Sequence, residues 1–193
     1  MLGTVIVLWS AVEFNALKME NKYQRSIELL NKAVANEIAT SLQYMYFHVH
    51  CEDKGYRPFA KYFRWVSIRE MNHIERLSDR IMYLQGDVDM NQQFRVKQVT
   101  EVGDMLRLAA ELESQTIENY NAWSKETSDL QDAGTHKLFQ DLVVEEEDHL
   151  DTFRTEAENM VEYGEEYLTL QSMDNIKHES KRSTDDSGVD DGY

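Results

Sequence analysis

The sequence predicts an all-α protein, a four-helix bundle in which a long crossover joins the second helix to the third. Apolar residues recur at steps of three and four along four long segments, and no segment alternates between apolar and polar residues as a strand would. Helix breakers are scarce, with one proline and eight glycines in 193 residues. A chain of this length is expected to form one domain, since domains usually contain about 100–200 residues.

The first two helices are both predicted to be long. The first runs from Asn21 to about Cys51 along an apolar stripe formed by Ile27, Leu30, Val34, Ile38, Leu42, Met45 and Val49. The second begins at Pro58, because proline is favoured in the first turn of a helix. It ends near Gln85, before Gly86, a residue type that commonly terminates helices.

The second half of the bundle begins with the crossover, which is predicted over residues 87–99 because this stretch is polar and has no clear period. The third helix is predicted over residues 101–126. Ser128 and Gln131 have the S-x-x-Q form of a capping box, which would open the fourth helix. The fourth helix is predicted to end at about Tyr163, before a glycine.

The two ends of the chain are predicted to lie outside the folded domain, which spans residues 21–173 and closes with a short fifth helix over residues 167–173. Residues 1–12 are apolar, but they are shorter than the roughly 20 residues of a membrane-spanning helix and lack the basic start of a secretory signal. We therefore expect residues 1–20 to be an N-terminal extension. Residues 174–193 contain few large apolar side chains and are expected to form a disordered acidic tail.

The charge of the chain restricts its partners. Aspartate and glutamate outnumber lysine and arginine by 36 to 20, which gives a formal net charge of -16. Nucleic acid is disfavoured as a partner because phosphates are bound by clusters of basic residues, whereas cations are attracted. No membrane partner is expected. The single cysteine, Cys51, excludes an internal disulfide and a cysteine-rich zinc site, and it fits a reducing compartment such as the cytoplasm.

The motif Glu-x-x-His occurs twice, with Glu70 and His73 in the second helix and Glu146 and His149 in the fourth. Residues three apart in a helix share a face, with about 5–6 Å between their Cβ atoms, so each pair can bind one metal ion. With 36 acids and 6 histidines in 193 residues, chance alone gives about one acid-x-x-His pair. Either motif alone is therefore more simply a surface or core pair, whereas the ordered set favours a metal site.

Two further glutamates lie among apolar residues of the other two helices. Glu37 lies within the apolar stripe of the first helix, and Glu111 lies in the apolar run over residues 108–112 of the third. A buried carboxylate is costly unless a cation neutralises it. Four glutamates and two histidines contributed in this way by four helices are the ligand pattern of di-iron or di-manganese carboxylate proteins.

The helix positions suggest a role for each of the six residues. Glu70 and Glu146 lie on opposing helices and would bridge two metal ions. Glu37 would join His73 at one ion, and the glutamate of the third helix would join His149 at the other. Carboxylates with imidazoles suit iron or manganese, so the expected chemistry is oxidation of Fe(II) to Fe(III).

These residues resemble those of the bacterioferritins, in the ferritin-like superfamily. The resemblance extends over residues 29–173, and the matching stretches are residues 36–44, 70–73, 108–112, 145–150 and 164–168. It implies a cytoplasmic, hollow homo-oligomeric cage of about 24 subunits. The cage would oxidise Fe(II) with O2 or H2O2 at a di-iron centre and store the ferric mineral. The ferroxidase ligands implied by the resemblance are Glu37, Glu70, His73, Glu111, Glu146 and His149.

The resemblance also implies roles for residues beside the ligands. Tyr44 would lie near the metals and hydrogen-bond or donate an electron, although a core tyrosine with a satisfied hydroxyl is an equal alternative. Met71 matches the residue that binds haem b between two subunits, but methionine is also a common filler of core gaps. Some bacterioferritins carry an inner-surface iron site, and the corresponding positions here hold Trp65 and Arg69, neither of which is an iron ligand.

Three other functions are weighed against iron storage. A Dps-like mini-ferritin that protects against peroxide would associate with DNA, which the acidic charge disfavours. A di-iron oxidoreductase without storage, of the rubrerythrin type, usually adds a cysteine-rich iron domain, and one cysteine excludes such a domain. A purely structural bundle would leave Glu37 and Glu111 unexplained on apolar faces.

Overall fold

The computed structural model describes the backbone of residues 22–185 and the side chains of residues 22–164, 166–171 and 173. Its helices are α1 (Gln24–Asp53), α2 (Arg57–Tyr83), α3 (Val102–Asp129) and α4 (Ala133–Asp185). No strand occurs within the described backbone. The predicted all-α bundle is therefore confirmed. None of the helices in the described part of the chain combines the length and the apolar character needed to cross a membrane.

The crossover between α2 and α3 lies against α1 and is fixed to it by side-chain hydrogen bonds. Near the start of the crossover, Asn31 donates to the carbonyl of Asp87 at 2.9 Å and accepts from the backbone of Asp89 at 2.8 Å. Further along, Gln43 donates to the carbonyl of Lys97 at 3.0 Å and accepts from its N–H at 2.7 Å. The crossover therefore follows α1 from its N-terminal to its C-terminal half. Within each hairpin, α1–α2 and α3–α4, the helices are antiparallel.

The residue that ends α2 differs from the expected one. Gln85 is in the left-handed region, with φ of 61°, and donates to the carbonyl of Met82 at 3.0 Å. Gly86 donates to the carbonyl of Ile81 at 3.0 Å, which completes a Schellman motif. Glycine is needed at position 86 for a steric reason and not for a left-handed conformation, because a Cβ atom there would lie 2.7 Å from Cγ2 of Ile27.

The predicted capping box at the start of α4 is wrong. Ser128 lies inside α3, which extends to Asp129, and Gln131 is the left-handed residue that ends α3, with φ of 58°. The residue that caps α4 is Asp132, whose side chain accepts from the N–H of Thr135 at 3.2 Å. Its carboxylate also binds the Arg80 guanidinium of α2 at 2.5 Å.

The Asp132→Ala substitution is expected to destabilise the protein by about 1–3 kcal/mol, because it removes a helix cap and leaves Arg80 without its carboxylate. Chemical denaturation followed by circular dichroism measures the change. The control is Asp129→Ala, whose exposed partner Lys125 lies 2.7 Å away. An exposed ion pair within one helix contributes only about 0.3–0.5 kcal/mol. Equal losses in the two variants would contradict the assigned cap.

The effect of Asp132→Ala is also expected to depend on pH. Burial by itself raises the pKa of Asp132, but hydrogen bonds from Thr135 and Arg80 lower it overall. A carboxyl group with a lowered pKa stabilises the folded state above its unfolded pKa of about 3.9. This stabilisation is lost as the pH falls through the folded pKa, so the difference between wild type and variant should shrink in acid.

The apolar core has two parts, and along each helix the buried ionisable residues in the middle of the bundle lie between them. One part surrounds the aromatic side chains of Tyr44, Phe47, Phe63 and Phe153, whose ring centroids are 5.1–6.3 Å apart in the contacting pairs. The other part contains Leu29, Leu30, Leu77, Ile81, Tyr120 and Phe139. Packing on both sides therefore holds the intervening side chains in place.

The end of the described chain bends at Gly164, which has φ of 60° and ψ of -146°. Beyond this bend the backbone is again helical, and Leu168 packs against the aromatic part of the core. The predicted fifth helix is confirmed, but the helical backbone continues to Asp185. This helical backbone extends past residue 174, where the tail was predicted to start, and the disordered acidic tail over residues 174–193 stays a prediction. The predicted extension over residues 1–20 and residues 186–193 lie outside the described residues.

Candidate metal centre

Six ionisable side chains from all four helices converge in the middle of the bundle. Each of them is at most 2% exposed. The α1 helix contributes one glutamate, α2 a Glu-x-x-His pair, α3 one glutamate and α4 a second Glu-x-x-His pair. The six residues are Glu37, Glu70, His73, Glu113, Glu146 and His149.

The glutamate that α3 contributes is Glu113, so the expectation that Glu111 points into the core is wrong. Glu111 is exposed. Two residues correspond to about 200° around a helix, which places the two side chains on opposite faces. A signal for Glu113 was present in the sequence, because Tyr120 follows it after seven residues, just as Tyr44 follows Glu37.

The two Glu-x-x-His pairs face each other in a reciprocal arrangement. His73 Nδ1 lies 2.9 Å from Glu70 Oε2 and 3.0 Å from Glu146 Oε1. His149 Nδ1 lies 3.2 Å from Glu70 Oε1 and 3.2 Å from Glu146 Oε2. Each carboxylate thus presents one oxygen to each imidazole. This is the arrangement of two carboxylates that bridge a pair of cations.

The cluster has two halves that share these bridging carboxylates. Glu37 and His73 belong to one half, and Glu113 and His149 belong to the other. Within each half, the donor atoms all lie within 4.8 Å of one another. The structure therefore brings together five of the six predicted ligands and replaces Glu111 with Glu113.

Several donor atoms of the cluster contact only other ligand atoms of the cluster, and they form no well-aligned hydrogen bond although they are buried. They are both carboxylate oxygens of Glu70, Oε1 of Glu146 and Nδ1 of His73. An unsatisfied buried polar group costs about 1–3 kcal/mol, and more if it is charged. Two divalent cations would satisfy these atoms and balance four carboxylates. The donor set of carboxylates and imidazoles fits iron or manganese.

The electrostatics of the cluster show how strongly it needs positive charge. Burial, followed by repulsion from Glu146 and Glu70, raises the pKa values of Glu37 and Glu113 well above the ordinary value. Burial by itself raises the pKa of Glu70, but the neighbouring imidazoles of His149 and His73 lower it to about 2. Burial by itself lowers the pKa of His149, but its bonds to the bridging glutamates raise it to about 9. Protons therefore supply positive charge that metal ions would displace.

Two buried tyrosines hydrogen-bond the two glutamates of the cluster that lie outside the Glu-x-x-His motifs, and each tyrosine reaches across to the other helix. The hydroxyl of Tyr44, on α1, donates to Oε1 of Glu113, on α3, at 2.5 Å. In return, the hydroxyl of Tyr120, on α3, donates to Oε1 of Glu37, on α1. The predicted position of Tyr44 beside the cluster agrees with its contact to Glu113. Sequence analysis missed Tyr120.

Sequence analysis also missed Glu145, which contacts the outer side of His73. Its Oε2 lies 3.2 Å from His73 Nε2. Two arginines of α2 hold the same carboxylate, with Arg76 at 2.5 Å and Arg69 at 2.6 Å. A carboxylate in this position orients a ligating histidine and makes it more basic.

The residue predicted to bind haem does not belong to the cluster. Met71 lies on α2 between Glu70 and Asn72, and its side chain is 56% exposed. It therefore faces outward from the bundle, where a second molecule could reach it. Haem binding at Met71 remains a prediction.

Comparisons with known proteins agree with this geometry. A family model described as a ferritin-like domain matches residues 27–162. A bacterioferritin of Desulfovibrio desulfuricans is 30% identical over 149 residues, which cover 77% of this chain and 83% of the relative. A bacterioferritin of Streptomyces coelicolor is 30% identical over 140 residues, covering 72% and 83%. The X-ray structure of the Desulfovibrio desulfuricans bacterioferritin, described with its diiron site in different catalytic states, superposes with a TM-score of 0.77 over 79% of this chain and 89% of that one.

Proposed function

Because the chain belongs to the ferritin-like family and, within it, to the bacterioferritins, we propose that it is a ferroxidase that oxidises Fe(II) to Fe(III) and stores the product. The observation that carries this proposal is the set of unsatisfied oxygens on Glu70 and Glu146. These atoms are buried, face both histidines and lack any other cation among the described residues.

In this proposal the four helices contribute distinct ligands. Glu70 and Glu146 would be shared by two ferrous ions, Glu37 and His73 would complete one half, and Glu113 and His149 would complete the other. Two ferrous ions supply one electron each. These two electrons, together with two protons, reduce one O2 to H2O2, or one H2O2 to two water molecules. Hydrogen bonds from the two buried tyrosines keep the outer carboxylates oriented, and the aromatic core excludes bulk water.

We extend the proposal to the assembly and its second cofactor. Closed symmetric shells are built from identical subunits, and we propose a cytoplasmic homo-oligomeric cage of about 24 copies that encloses the ferric mineral. The net charge of -16 supports attraction of Fe(II) to this cage. Haem b held by Met71 and its symmetry mate is part of the same proposal, supported by the exposure of the Met71 side chain.

The proposal is tested by adding two Fe(II) ions per chain to the metal-free protein and then admitting O2. We expect rapid O2 consumption with diferric absorbance, and iron that co-elutes with the protein during gel filtration. Pre-incubation with Zn(II), which has no redox chemistry, should reduce oxidation to the rate of free iron. If the protein without Zn(II) oxidised Fe(II) no faster than free iron is oxidised in solution, the proposed ferroxidase activity would be contradicted. Fast oxidation without retention of iron would favour a di-iron oxidoreductase over storage.

A further inference from the structure

The two halves of the cluster are similar at the six inner residues but differ immediately outside them. Each Glu-x-x-His motif is preceded by a charged residue, and the two charges are opposite. Glu145 precedes Glu146 on α4, whereas Arg69 precedes Glu70 on α2. The surroundings of the two imidazoles therefore differ in charge, although both imidazoles face the same bridging carboxylates.

The His73 half is supported by an anion. The Nε2 atom of His73 lies 3.2 Å from Glu145 Oε2, while Nδ1 faces the bridging carboxylates. An imidazole that donates its Nε2–H to a carboxylate leaves Nδ1 as a stronger electron-pair donor. Arg76 and Arg69 bind the Glu145 carboxylate and fix its position. Glu145 is only one-quarter exposed, which limits screening by water.

The His149 half is bordered by an aromatic ring in place of the carboxylate, and Arg69, which binds Glu145 on the other side, also lies near that ring. The indole of Trp65 contacts the His149 ring edge-on, with centroids 5.6 Å apart and an interplanar angle of 84°. The Arg69 guanidinium lies 5.8 Å from the centroid of the same indole. In the part of the chain with described side chains, His149 pairs with carboxylates through Nδ1 alone. A neighbouring aromatic ring is at most a weak hydrogen-bond acceptor, so His149 gains little basicity from Trp65.

We propose that the two halves of this centre bind metal with unequal affinity, and that Glu145, acting through His73, makes the His73 half the tighter one. This inference rests on the proposed function, since it concerns the same metal centre. Glu145 is a positioning residue here, because it contacts His73 and not the ions. An outer partner of a ligating histidine is worth about 10–100-fold in metal affinity, so the two steps should be separated by about that factor.

Titration of the metal-free full chain with Co(II), followed by ligand-field absorption, tests the inference without any turnover. Wild type should bind two equivalents in two resolved steps. Glu37→Gln should remove the tight step and Glu113→Gln the weak one, which assigns the steps to their halves. Two equivalents bound in a single step, or the reverse assignment, would overturn the inference. No Co(II) binding at all would overturn the metal centre itself and thereby the proposed function.

The Glu145→Gln variant tests whether the Glu145 carboxylate, which contacts the Nε2 atom of His73, strengthens metal binding. It should weaken the tight step by about 10–100-fold and shift the weak step far less. Glu147→Gln is the matched control, since it makes the same charge change two residues further along α4 at an exposed position. Equal changes in the two variants, or equal weakening of both steps by Glu145→Gln, would overturn the role of Glu145. Should Glu145→Gln fail to fold, as judged by circular dichroism, the step assignments in Glu37→Gln and Glu113→Gln still decide the inference.

Discussion

The Glu113→Ala variant is expected to oxidise Fe(II) more than about 100-fold more slowly than wild type, because loss of an inner ligand should exceed the roughly 10–100-fold cost of losing an outer partner. Glu113 is 1% exposed and belongs to the half of the cluster that contains His149. Its loss also leaves the Tyr44 hydroxyl without its acceptor. Stopped-flow absorbance after mixing with Fe(II) and O2 measures the initial rate.

Glu111→Ala is the matched control for this experiment. Glu111 lies on the same helix, carries the same charge and is exposed, two residues before Glu113. Surface substitutions usually change free energies by no more than about 0.5 kcal/mol, so the rate should stay within about twofold. A slow Glu111→Ala protein with a fast Glu113→Ala protein would restore the ligand set expected from the sequence and contradict the geometry.

Metal binding is expected to stabilise the fold strongly. Free Zn(II) at about 100 times its dissociation constant adds about 2.7 kcal/mol per site, or about 5 kcal/mol for two sites. For a chain of this length, that corresponds to a rise in the midpoint of thermal unfolding on the order of 10–20 °C. The physical reason is that the ions coordinate the buried oxygens of Glu70 and Glu146, which otherwise face only the two histidines. Differential scanning calorimetry with and without Zn(II) measures the shift.

The control for metal stabilisation is Glu70→Gln. Because Glu70 faces both histidines, this substitution should abolish most of the shift at both halves. The metal-free variant should unfold below the temperature of the metal-free wild type, since it removes the carboxylate that pairs with both buried histidines, and breaking a buried ion pair is destabilising. An unchanged midpoint for wild type with Zn(II) would show that the cluster does not hold cations.

The helices and most of the metal centre could be predicted from the sequence because both depend on the spacing of residues that are close together in the chain. Glu70 with His73 and Glu146 with His149 share helix faces by their separation alone. The buried glutamate of the third helix was misassigned because the apolar run over residues 108–112 does not show which side of the helix faces the core. Ala109 is buried, Ala110 is half-buried and Glu111 is exposed. The repeated seven-residue spacing from Glu to Tyr pointed to Glu113, but its significance appears only in the structure, where Glu113 accepts from Tyr44, 69 residues away in the sequence.

The ends of the helices were predicted less well for a similar reason. Ser128 and Gln131 match a capping box by sequence, but the capping residue is decided by where α3 stops. Asp132 also binds Arg80, which lies 52 residues earlier in the sequence. This contact favours Asp132 as the capping residue of α4. Such tertiary contacts select among local alternatives that are otherwise similar in energy.

The crossed tyrosine–glutamate pairs have a consequence for biosynthesis. Tyr44 and Glu37 belong to the α1–α2 hairpin, and their partners belong to the α3–α4 hairpin. A nascent chain that has released only its first hairpin from the ribosome carries three of the six donors, without the partners that orient them. The six residues can therefore come together only after both hairpins have been translated and have docked.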